Sequence, residues 1–257
     1  MSGDGPGPSP ETITKSVPFP DTMLTYKPLD ADSMTVVRNQ WNLFQTLKDH
    51  PGPVANPIRE RLARGEPALV KGTLVHGAIY TPELVEGIKR LGIVSGEFIG
   101  IPEDGETSYS GDFFKVPEDM SVQEYMAFIS KGRQISEKLF VPQPEYNYLP
   151  SYKKRTSHIA YLIDPDPRLD ELLSQDAYDP KNEAMKKIIH RLPVKDVDSE
   201  VGKRLSAILV GVPSNFISGM VLGSGVTPDQ TAHIRQVMGE SVVLFDSMGA
   251  VINSQAV

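Results

Sequence analysis

The sequence predicts an α/β or α+β fold: a mixed β-sheet flanked by helices, with a Pro-rich N-terminal arm and an N-terminal helical extension. Strand-like and helix-like apolar patterns alternate along the chain, and clusters of Pro, Gly, Asn and Ser keep the strand candidates short. A strand–turn–helix–strand pattern also occurs twice, over residues 71–101 and 217–247. The chain has 257 residues, 39% of them hydrophobic, enough to bury a core without covalent or metal staples.

Residues 1–30 alternate Pro6, Pro8, Pro10, Pro18, Pro20 and Pro28 with Gly3, Gly5 and Gly7, a composition that favours extended, solvated backbone. The first helix is predicted to start at Ser33, a capping residue. Met34, Val37, Trp41, Phe44 and Leu47 give it one apolar stripe, and Pro51, Gly52 and Pro53 end it. A short second helix has Asn56 as its cap, Pro57 at the first helical position, Ile58 and Leu62 on one face and Gly65 as its stop. Arg59, Arg61 and Arg64 mark its exposed face, which is either a solvated surface or an anion-binding one.

A strand is predicted over residues 68–75 and another over 97–101. Between them Thr81 and Pro82 open a helix carrying Leu84, Val85, Ile88 and Leu91, and Gly92 ends it. Residues 101–114 contain Pro102, Gly105 and Gly111 and read as a turn or hairpin. Ser121 and Glu124 make a capping box for a further helix. From residue 142 to 167 the chain is broken by Pro142, Pro144, Pro150, Pro165 and Pro167, with a strand candidate at 158–163 between them. This is the best lobe boundary. It leaves the helical extension and first unit in residues 31–141, and a second lobe in 142–257, as one domain or two.

A helix follows around residues 183–192. Residues 205–212 and 216–222 flank Pro213, Ser214 and Asn215, which predicts a hairpin. Thr227 and Pro228 then open a helix carrying Ile234, Val237 and Met238. The chain ends on a second hairpin, residues 242–245 and 250–252 around an Asp246–Gly249 turn.

The two strand–helix–strand units align without a gap at an offset of 146 residues, so that Val75 falls on Val221, Gly77 on Gly223, Thr81 on Thr227, Pro82 on Pro228, Ile88 on Ile234 and Ser95 on Ser241. Either an internal duplication or convergence on good helix capping produces such a match. Duplication would relate the units by a rotation near a half turn.

Several function classes are disfavoured at once. A net charge of -7 argues against a general nucleic-acid binder. The absence of cysteine removes disulfides, thiolate metal sites and a cysteine nucleophile. The richest apolar stretch, residues 205–212, is interrupted by Ser206 and Gly211 and is far shorter than the ~20 residues of a membrane span. The opening residues have no basic region followed by an apolar one, so an intracellular protein is expected, or a virion component. No cofactor-binding or metal-binding motif is present, so neither group is expected. Residues 56–67, NPIRERLARGEP, resemble the opening of the class II pyruvate aldolases. The metal-binding carboxylates and arginine motif of that family do not follow downstream, so its activity is not carried over.

Among candidate residues, His76 closes a predicted strand just before Gly77, where strand-to-helix loops place function. It is the best catalytic candidate of the five histidines, each of which also reads as a structural side chain. Gly77, Thr81, Gly223 and Thr227 would bind a phosphate or carboxylate at two positive helix N-termini. The Gly223-Ser224-Gly225 run is either part of such a loop or a tight turn. Asp164 and Asp166, spaced by prolines, could hold a cation or do acid–base work, or could lead into a helix. Tyr146, Tyr148 and Tyr152, beside Lys153, Lys154 and Arg155, suggest an exposed protein interface more than a nucleic-acid platform.

The expectation is therefore a non-catalytic structural or interaction protein, as a subunit of a virion or multisubunit complex, joined to a partner or to itself through the arm. The alternative is a small-molecule α/β enzyme with its anionic ligand at the two helix N-termini.

Overall fold

In the computed structural model the described residues are 31–50, 52, 55–94, 111–127, 158–170, 172–174, 205–208 and 210–253. The arm, the strand expected at 97–101, the tyrosine cluster at 146–152 and the helix expected near 183–192 lie outside them.

Helix α1 spans Ala31–Asp49, so Ser33 lies inside it and does not cap it. Helix α2 (Pro57–Ala63) starts as expected: Asn56 accepts from the Arg59 amide at 3.0 Å, and Gly65 follows the helix at φ +72°. The first long strand, β1, is Leu74–Ile79, shifted towards the C-terminus of the expected 68–75. Of that earlier stretch, Leu69 makes an isolated bridge with Met120. Helix α3 (Pro82–Leu91), strand β2 (Ile93–Val94) and strand β3 (Gly111–Lys115) follow. Of the turn or hairpin expected over 101–114, residues 101–110 lie outside the described residues, and Gly111 starts a strand that pairs with the edges of both β1 and β6.

After the helical segment 122–127 come β4 (His158–Ile163), β5 (Leu173–Ser174), β6 (Leu205–Ile208), β7 (Gly211–Val212), β8 (Ile217–Leu222), helix α4 (Pro228–Met238) and β9 (Val243–Phe245). They build a mixed seven-stranded sheet in the order β5-β6-β3-β1-β4-β8-β9, antiparallel throughout except for the parallel β8–β9 pair. The class is α+β, and the sheet draws strands from both sides of the proline-rich stretch.

The hairpin expected over 205–222 does not form. Residues 205–208 pair with β3 and β5, residues 211–212 pair with β2 in a separate ladder, and 217–222 lie between β4 and β9. Glycines at the β2–β7 ladder explain the break. A Cβ on Gly92 would meet the Val212 carbonyl oxygen at 2.3 Å, and one on Gly211 would meet that of Ile93 at 2.3 Å. The two backbones approach too closely for any side chain there. The C-terminal hairpin does form: the Asp246 amide donates to Ala250, Gly249 to Asp246 and Ile252 to Leu244, with a Phe245–Val251 bridge.

Alternation along the central strands sorts two apolar layers. Ile159, Tyr161 and Ile163 of β4 join Phe44, Leu47, Val85, Ile88, Ile234 and Met238 from α1, α3 and α4. Leu162, Val75, Val221 and Val243 join Ile58, Leu69, Val116, Val122 and Tyr125 on the other side. Ile217 and Met220 share the first layer although they are three positions apart, an odd spacing. A bulge explains this: Leu162 faces Gly219 and Ile163 faces Ile217, so Ser218 is an extra residue. Its carbonyl accepts from Asn56 Nδ2 at 2.6 Å, and that same nitrogen reaches Ser241 O. One asparagine thus caps α2 and satisfies the bulge.

Arg61, placed by its spacing on an exposed face, is buried at 8% exposure. The charge is tolerated there because a carboxylate and a carbonyl meet both of its terminal nitrogens, while Nε has no hydrogen-bond partner among the described residues. Its guanidinium grips both oxygens of Asp164 at 2.5 and 2.7 Å and donates to Ala68 O at 2.7 Å. Asp164→Ala is expected to lower stability by about 3 kcal/mol, since it strands a buried guanidinium; the double change Arg61→Met with Asp164→Leu should lose much less. Urea midpoints of the two variants check this, and equal losses would show that the pair contributes only packing.

Candidate functional site

The two repeated units share the order of strand and helix, but a half turn does not relate them. Strands β1 and β8 flank β4 and both run antiparallel to it, so they run parallel to each other. Helices α3 and α4 pack together, and their contacts advance in step: Glu86 lies by His233, and Lys89 Nζ donates to Met238 O at 3.1 Å. The units are therefore shifted side by side across the sheet, with both helix N-termini at one end. In the second unit β9 returns to pair with β8; its counterpart in the first unit, residues 97–99 by the alignment, lies outside the described residues.

Thr81 caps α3 by accepting from the Leu84 amide at 3.1 Å, and Thr227 caps α4 by accepting from that of Gln230 at 3.3 Å. Gln230 Oε1 accepts in return from the Thr227 amide at 3.0 Å, closing a capping box. Pro82 and Pro228 stand at the first helical positions, and Glu83 and Asp229 supply a carboxylate to each first turn. Each N-terminus thus has one amide replaced by proline, one bound to threonine and its positive end already facing an acid.

Gly77 is not a turn residue. It lies within β1 opposite Ala160, and the chain turns only after Ile79. Gly223 does follow its strand, but its amide donates to His158 O at 2.7 Å and prolongs the β4 ladder, while Val226 N bonds back to Gly223 O at 3.0 Å. The 223–226 run is a tight turn. His76 likewise sits inside β1, half-buried, in the row His76–Tyr161–Met220, and not at the strand's end. β1 extends further than its apolar content suggests because β4 supplies backbone partners as far as His158.

The paired carboxylates are held apart by separate arginines. Asp164 belongs to Arg61, and Asp166 binds Arg168 through Nε at 2.9 Å and the terminal nitrogen at 2.5 Å while also capping the turn at Pro167–Leu169. The Arg168 side chain holds the Asp166 carboxyl below its usual range, and its guanidinium carbon lies 4.9 Å from the centre of the Phe216 ring. Among the described residues no group of three His, Asp or Glu side chains is placed to hold a metal ion. No helix among them is long and apolar enough to cross a membrane.

The fold does assemble one titratable group that spacing does not reveal. Tyr80, between β1 and α3, places its hydroxyl 3.1 Å from His233 Nδ1 on α4, with the rings edge to face and 6.1 Å apart. On the far side of the imidazole, Nε2 lies 3.5 Å from Glu86 Oε1 on α3. Burial, then the charges of Glu83 and Glu86, push the Tyr80 phenol above its ordinary value. With the proton on Nε2, the phenol donates to Nδ1 and the N–H points at Glu86. Residues separated by 153 positions meet only because β1 and β8 flank the same strand.

Comparison with protein-family models, with curated proteins and with solved structures finds no match to this chain.

Thr81→Ala and Thr227→Ala are each expected to destabilise by about 1 kcal/mol through loss of a cap; chemical denaturation measures it, and no change in either variant would contradict the caps. Tyr161 is fully buried, and its hydroxyl has no hydrogen-bond partner among the described residues. Burial pushes that phenol up. A folded value above the unfolded one near 10 means stability that is full below about pH 10 and falls as pH rises towards the folded value. Tyr161→Phe should therefore match or exceed the parent at neutral pH and lose less between about pH 10 and 11. A large loss at pH 7 would show that the hydroxyl is satisfied.

Proposed function

We propose that this chain is a structural or interaction protein, a subunit of a larger assembly such as a virion or multisubunit complex. The observation that carries this reading is how its charged groups are spent. Asp164 and Asp166, the carboxylates best suited by sequence to catalysis, are each locked to an arginine: Asp164 to Arg61 of α2, which ties two segments of the fold, and Asp166 to its near neighbour Arg168. The Pro/Gly-rich arm over residues 1–30 and the tyrosines at 146, 148 and 152 supply the contact-forming sequence.

A small-molecule role with phosphate or carboxylate at Thr81 and Thr227 is the second reading, favoured by the placement of both helix N-termini at one end of the sheet. The proline, the threonine cap and the first-turn acid at each terminus weigh against it, because they satisfy the amides and dipole that an anion would use.

Deleting residues 2–28 should lower the assembled mass measured by light scattering and leave the melting temperature nearly unchanged. A large fall in melting temperature at constant mass would overturn the assembly role of the arm. Saturable binding of inorganic phosphate, lost in Thr81→Ala and Thr227→Ala, would favour the second reading instead.

A further inference from the structure

The Tyr80–His233–Glu86 group has the connectivity of an activated nucleophile: a hydroxyl on a base, and the base on a carboxylate. The first link, 3.1 Å, is within the reach such pairs need, and the second, 3.5 Å, is at the looser end found before substrate binds. The side chain of His233 is 25% exposed and that of Glu86 is 63% exposed, while Tyr80 is half-buried, so the group lies at the surface of the α3–α4 seam. A structural seam alone would be served by apolar contacts such as those of Val85, Ile88, Ile234 and Met238 next to it.

We propose that Tyr80 is a nucleophile assisted by His233, able to accept an acyl group from an uncharged, activated carboxylic ester. The phenol oxygen attacks the ester carbonyl carbon and forms a new C–O bond. Its proton passes to His233 Nδ1, and the imidazolium so formed lies beside the Glu86 carboxylate. The bond to the leaving alkoxide or aryloxide breaks, and that oxygen leaves with a proton. Water later hydrolyses the tyrosyl ester and restores the phenol.

The carboxylates decide the substrate class. Burial is the main cause that raises the phenol; Glu86, 3.5 Å from His233, and Glu83 add negative charge beside the group, which repels phosphate esters and other anionic donors. The raised phenol does not prevent the reaction. A serine hydroxyl is far less acidic and still reacts when a histidine removes its proton in the same step. The inference goes beyond the assembly reading and does not rest on it.

The full chain treated with p-nitrophenyl acetate tests this, by following p-nitrophenolate release and locating the adduct by peptide mass spectrometry. The expected result is a stoichiometric burst and acetylation at Tyr80. Tyr80→Phe should abolish the burst while keeping the ring. His233→Phe keeps an aromatic ring beside Tyr80 and should slow labelling by about a hundredfold, the loss expected of a general base. Circular dichroism and melting curves confirm that both variants fold; should either fail, Glu86→Gln at the exposed side chain serves in its place and should slow labelling. Labelling confined to lysines, or a folded His233→Phe protein acetylated at Tyr80 as fast as the parent, would overturn the proposal.

Discussion

Strand β4 is held by antiparallel ladders on both its edges, six residues against β1 and five against β8, and the rest of the structure follows from that constraint. Two neighbours that both oppose β4 must run alike, so the helices leaving them start at the same end and travel side by side. The sequence of β4, HIAYLI, suits this position. Ile159, Tyr161, Leu162 and Ile163 are all buried, and helices lie against both of its faces. The two apolar layers could not both form if β4 sat at an edge.

Polar side chains then fix how distant segments meet that sheet. Arg61 joins α2 to Asp164 at the end of β4, and Asn56 joins the start of α2 to the β8 bulge and to Ser241 before β9. Asn215 Nδ2 donates to Leu47 O at 3.0 Å and to His50 O at 2.8 Å, which closes the end of α1 onto the turn before β8. Arg61 and Asp164 satisfy each other's buried charge, and the two asparagines satisfy the part-buried carbonyls of Ser218 and Leu47. Such ties specify position more than they add net stability, since a buried ion pair gains little over a well-packed apolar substitute.

The α3–α4 seam combines both kinds of contact. Its apolar side is continuous with the larger core layer, and its outer side carries the phenol, the imidazole and the carboxylate. The interaction reading draws on the arm and tyrosine sequence and on the committed carboxylates. The reactive-tyrosine reading draws on the seam alone, so neither rests on the other.

Local chemistry made part of this legible in the sequence. The caps at Asn56, Thr81 and Thr227, the stops at Gly65 and Gly92 and the final hairpin rest on interactions within a few residues, and each appears where residue type places it. Pairing partners were not legible. Residues 205–222 have the composition of a hairpin, yet five different strands pair with them, because the edges offered by β3, β5, β2, β4 and β9 are invisible to a local pattern. Arg61 looked exposed because its burial depends on a carboxylate 103 residues away. His233 reads from sequence as a structural histidine like the others, because neither Tyr80 nor Glu86 is near it in the chain. The sequence by itself determined where helices begin and end and which turns close, since those energies are local. Only the tertiary structure decided which strands pair, which charges go inside and which titratable groups meet, since those depend on contacts that exist only after the chain has folded.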